Sequence, residues 1–149
     1  KRSSARLFAV QGVYQMLANQ QSEQSVLEDI MYKRIYEPVD DEPLVQPDGT
    51  LLKNTVTGVS ERRDELSKIV MSHYKNNTEV MKIEGMALEK PEGLLFSVLL
   101  CGAYELMAHH DIDTPIIISD YLNVGHAFFD RGETRLINAV LDKIAGALR

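Results

Sequence analysis

Lys1, Arg2 and Arg6 are the only charged residues before Glu23, so the first 22 residues of a chain with a formal net charge of -6 carry three positive charges. Cations gathered in this way suit phosphate oxygens. Tyr14, about two turns beyond Arg6, adds a ring on which an unpaired base can stack, and the combination suits single-stranded RNA. On a helical wheel Arg6 lies within the apolar arc of its segment, Arg2 lies at the edge of that arc and Tyr14 lies further along it. The expectation is a phosphate-contacting arm made of Lys1, Arg2 and Arg6, set against the plainer reading of a solvated basic terminus.

A second group of polar residues stands at the other end, in ETRLINAVLDKIAGALR. At about 100° per residue, Leu136, Ile137, Val140, Leu141, Ile144 and Leu148 cover an arc of about 140° and Asn138 falls about 60° outside it. Arg135 and Asp142 lie beside Asn138, so the three form a stripe at i, i+3 and i+7 along the flank of a buried helix. Asn138 is donor and acceptor at once and can read a base edge. Arg131, Arg135, Lys143 and Arg149 outnumber Glu133 and Asp142 here, a small basic excess.

Nothing else in the sequence assembles an active site. Neighbouring histidines on a helix point about 100° apart and do not easily share one ion, so His109, His110 and Asp111 read as a polar helix end, where histidine suits the macrodipole. His126 and Asp130 read as a surface pair, and Ser119-Asp120 has no histidine in a triad pattern. There is no GxGxxG and no phosphate loop. Catalytic residues, metal ligands and cofactors are all expected to be none. The single cysteine, Cys101, sits in an apolar run and gives no disulfide framework. With 22 acidic residues against 16 basic ones, the chain is not one that coats nucleic acid or anionic membrane by bulk charge. No apolar stretch reaches the roughly 18 residues of a bilayer span, and KRSSARLFAVQG breaks off its apolar run too early for a signal peptide. A cytoplasmic protein without a membrane partner is expected.

The elements that must hold these groups are helices. Leu7, Val10, Val13, Tyr14 and Leu17 repeat at three and four residues, predicting a helix from residue 3 or 4 to about 19, and Val26, Leu27, Ile30 and Met31 predict a second from 22 to about 33. EPVDDEPLVQPDGT, with three prolines and the acidic run Glu37, Asp40, Asp41 and Glu42, reads as a solvated loop. Leu52, Thr55, Val56, Val59, Leu66, Ile69, Val70 and His73 predict one long third helix ended by Asn76-Asn77, followed by a short helical turn around residues 78–84. Pro91 has the place of a first-turn proline, and LLFSVLLCGAYELM, apolar on nearly every face, belongs at the centre of a bundle. Thr114-Pro115 reads as a cap and first-turn pair opening a sixth helix through Ile117, Tyr121, Val124 and Phe128. A strand at residues 116–118 would have no partner. Residues 130–132 turn the chain into the last helix. The expected fold is all-α: one domain over residues 1–149, with about seven helices in two small subdomains, about 1–76 and 77–149, sharing one core.

Three segments resemble the NusB family of bacterial transcription antitermination factors: SARLFAVQGVYQ at the start, GAYEL at 102–106, and LINAVLDKIA at 136–145. The first is similar to the family's R-x-x-x-R-x-x-A-x-Q-x-x-Y pattern through Arg2, Arg6, Ala9, Gln11 and Tyr14. The chain departs from the family at Leu136, where an aromatic residue is usual, and at Ser119-Asp120, where asparagine and glutamate are. It departs also at Leu100, where arginine is usual, and the last two departures together read as the joint loss of an internal ion pair.

The resemblance implies a non-enzymatic protein that binds boxA RNA in ribosomal RNA leaders together with the ribosomal protein NusE. The complex joins elongating RNA polymerase as an antitermination complex. Lys1, Arg2, Arg6, Tyr14, Arg135 and Asn138 are then the expected RNA-binding residues. Tyr14, Leu136 and Asp142 are the expected partner-binding residues, in a groove where the first and last helices approach each other. Replacing Arg6 by alanine is expected at this point to weaken RNA binding with helicity unchanged. Two other readings stay open: a protein-interaction module that forms a homodimer without RNA, and the RNA-binding domain of a ribosomal RNA cytosine methyltransferase.

Overall fold

The computed structural model describes residues 2–36, 49–75 and 92–149, and among these described residues the apolar positions at helical spacing become seven α-helices. They are α1 (Arg2–Asn19), α2 (Glu23–Tyr36), α3 (Gly49–Glu61), α4 (Arg63–Lys75), α5 (Gly93–Ala108), α6 (Thr114–Phe128) and α7 (Arg131–Leu148). No strand occurs among the described residues, and 116–118 is helical. The acidic loop, the helical turn at 78–84, the Asn76-Asn77 helix end and Pro91 lie outside the described residues.

Each boundary has a local cause. Gln20 ends α1 by turning left-handed, φ 55°, a conformation that stops a right-handed helix. The Ser22 hydroxyl then accepts from Ser25 N at 3.1 Å and caps α2. Glu92 caps α5, its two carboxylate oxygens accepting from Leu94 N at 2.9 Å and Leu95 N at 3.2 Å. Asp113, not Thr114, is the cap of α6, with Pro115 in the first turn where its missing N–H does no harm.

The long third helix expected from the periodicity is two helices meeting at Arg62. Helical hydrogen bonds persist on both sides, Arg62 N to Gly58 O at 3.1 Å and Leu66 N to Arg62 O at 2.9 Å. The break lets α3 pack on α1, α2 and α5 while α4 packs on α5 and α7.

As expected of a helix apolar all round, α5 is the axle of the fold, packed against α1, α3, α4, α6 and α7. Leu95, Leu99, Leu100, Cys101, Ala103 and Leu106 are fully buried. The GAYEL and LINAVLDKIA segments meet here, because a β-carbon on Gly102 would stand 2.8 Å from Leu141 Cδ2. Arg149 fastens the far end of α5: its guanidinium donates to Leu106 O at 2.9 Å, His109 O at 2.6 Å and Ile112 O at 2.6 Å. Carbonyls left open at a helix C-terminus carry partial negative charge, which this cation offsets.

Gly58 of α3 is pressed against the half-buried Tyr104 ring of α5, and a β-carbon there would fall inside the ring's van der Waals envelope. Gly58→Ala is therefore expected to lower the unfolding free energy by about 1–3 kcal/mol, measured by urea titration. Adding Tyr104→Leu should recover part of the loss; an equal loss in both proteins would remove the clash as its cause.

Candidate nucleic-acid interface

Arg6 is not part of an exposed arm. Its side chain is wholly buried, with Nε and Nη2 each donating to the carboxylate of Glu105 on α5 at 2.8 Å and Nη1 donating to Asp120 Oδ2 on α6 at 2.5 Å. The Tyr121 hydroxyl donates to Glu105 Oε2. His109, at the C-terminal cap of α5, bonds Glu105 Oε1 through Nδ1 at 3.2 Å; since an ionised carboxylate only accepts, Nδ1 carries the hydrogen. The guanidinium also stands 5.9 Å from the Tyr121 ring centroid, within cation–π range. The expectation that Arg6 contacts phosphate is thus overturned, because a guanidinium committed to two carboxylates inside the core has nothing to offer an RNA backbone.

The electrostatics follow from this geometry. Burial alone pushes the Glu105 carboxyl up, but bonds from His109, Arg6 and Tyr121, with the Arg6 charge, outweigh it and hold the group at about 2 against the ordinary 4.5. Burial works against the charge of Arg6, and the Glu105 bond reverses that, leaving it more firmly protonated than usual. Burial, then the negative charge of Glu105, pushes the Tyr121 phenol and the Cys101 thiol well up. Cys101 therefore stays a thiol, the opposite of a reactive cysteine.

The same cluster takes in one of the positions at which the chain departs from the family. Asp120 keeps an acid in the network and pairs with Arg6 on α1. Leu100 is fully buried among apolar side chains.

Leu136 is likewise fully buried, so the expectation that it touches a partner fails: its side chain fills the core beneath α7. The flank beside it is exposed, with Arg135, Asn138 and Asp142 all at the surface. Asn138 and Asp142 border a groove of about 280 Å³ whose other wall is Pro115, Ile118, Ser119 and Leu122 of α6. Tyr14 is 38% exposed. It lines a different groove, of about 400 Å³, with Phe8, Gln11 and Gln15 of α1, Leu94 of α5 and Phe128 of α6.

The single groove expected between first and last helices is therefore two grooves, both edged by α6, which packs on α1 and on α7. Lys1 lies outside the described residues, and Arg2 opens α1. Phe8, Gln15 and Phe128 are not among the residues that the sequence marks for RNA or a partner, although Phe8, Gln11 and Gln15 recur at i, i+3 and i+7 along one helix face. A larger groove of about 980 Å³ between α2 and α3, lined by Leu27, Met31 and Glu28, holds none of the residues chosen for chemistry.

Among the described residues no three His, Cys, Asp or Glu side chains are grouped to hold a metal, and no helix is long and apolar enough to cross a membrane. Buried charge that ties helices together, with aromatic, amide and guanidinium groups on the outside, defines an all-helical binding protein. The NusB family model matches residues 3–146, and the chain belongs to that family, whose members are non-enzymatic transcription antitermination factors with RNA and the transcription machinery as partners. It is not an enzyme.

The chain is 31% identical to the transcription antitermination protein NusB of Novosphingobium aromaticivorans, over 99% of its own length and 95% of the relative's. It is 30% identical to that of Hyphomonas neptunium, over 100% and 92%. T. maritima NusB shares the fold, with a TM-score of 0.70 at 17% identity over 98% of this chain and 91% of the other.

Proposed function

We propose that this chain binds boxA-type single-stranded RNA in ribosomal RNA leaders, together with the ribosomal protein NusE, and joins elongating RNA polymerase in the cytoplasm to suppress premature termination. The observation that carries the reading is Tyr14, a large aromatic ring held at the surface on the helix that Arg2 opens. Because a base presents its face whatever its sequence, such a ring accepts single-stranded RNA broadly. With Arg6 withdrawn into the core, the phosphate contacts fall to Lys1, Arg2 and Arg135, and Asn138 supplies a donor and an acceptor for a base edge. Asp142, beside the apolar wall of α6, suits a cationic side chain of NusE, which also brings positive charge to the RNA.

Tyr14→Ala is expected to weaken boxA binding about tenfold, the effect of losing one stacked base, without a change in melting temperature. Arg135→Ala is expected to reduce the slope of log K against log salt by about 0.7, the share of one single-strand phosphate contact. The experiment is a titration of labelled boxA RNA with the protein alone and with NusE, at two salt concentrations. No binding in any of the four conditions would overturn the proposal. Sedimentation in the same conditions tests self-association, and a tight homodimer indifferent to both RNA and NusE would favour an interaction module instead.

A further inference from the structure

No further inference is drawn: the strongest candidate, the groove of about 980 Å³ between α2 and α3 with Leu27 and Met31 in its lining, sets Glu23 and Glu28 against Lys53 without a charge that singles out an occupant, and nothing in the structure shows what covers it.

Discussion

Arg6→Ala is expected to destabilise the fold by about 3–5 kcal/mol, the scale for removing one partner of a buried ion pair. The reason lies in what the substitution leaves behind. Glu105 has no exposure to water and takes two guanidinium bonds at 2.8 Å from Arg6, so without them it is a buried carboxylate held only by Tyr121 and His109. Asp120 retains access to solvent through a side chain that is 23% exposed and suffers less.

Folded domains have only about 5–15 kcal/mol in hand, so a large share of the total is at stake, and at about 2–4 °C per kcal/mol the melting temperature should fall by roughly 10 °C. Arg6→Lys should be intermediate, since an ammonium keeps the charge but not the two-pronged geometry. Arg6→Met combined with Glu105→Leu should be more stable than Arg6→Ala, because the buried carboxylate goes with its partner and only the part-exposed Asp120 is left unpaired. Urea and thermal unfolding measure all three. Any RNA-binding defect of Arg6→Ala should follow the unfolded fraction and leave the salt slope of the folded protein unchanged. A variant that melts within 2 °C of the parent, as estimated from the same scale, would show that the ion pair holds nothing together.

Arg6 also marks how far the sequence could be read. The helices were legible because their apolar residues repeat locally, and α5 was legible as the axle because no face of it is polar. The flank at Arg135, Asn138 and Asp142 followed from the same wheel, and its exposure matches the reading. Long-range partners leave no such local trace: Glu105 and Asp120 lie 99 and 114 residues from Arg6. Two signs were nevertheless present, a cation inside the apolar arc of α1 and a lone acid inside the most apolar helix, and each is costly unless it meets the other.

The division between α3 and α4 had no signal at all, since Ser60, Glu61, Arg62, Arg63 and Asp64 include neither proline nor glycine. The joining of Tyr14 to the last helix failed for a related reason. Which helices are neighbours around α5 depends on packing order, and α6 packs against both α1 and α7.

Acid should act on the same network, and the pH window follows from Glu105. Its carboxyl titrates at about 2 in the folded chain against 4.5 ordinarily. Below the lower value both states are protonated and the difference vanishes; above the upper one both are ionised and the full stabilisation is present. A depression of this size corresponds to about 3 kcal/mol. That contribution should be intact above about pH 5 and lost progressively as the pH falls towards 2.

Other carboxylates of this acidic chain titrate nearby, so the informative quantity is the difference between the parent and Glu105→Gln, measured by urea unfolding from pH 7 to pH 2.5. Glutamine keeps the shape but cannot be ionised, and it leaves Arg6 with only Asp120 as a counter-charge. The variant should be the less stable protein at pH 7, and the gap should narrow by about 3 kcal/mol as the acid limit is approached. A gap that stays constant across this range would mean that Glu105 titrates alike in the folded and unfolded chains, and that its bonds to Arg6, Tyr121 and His109 do not favour its charged form.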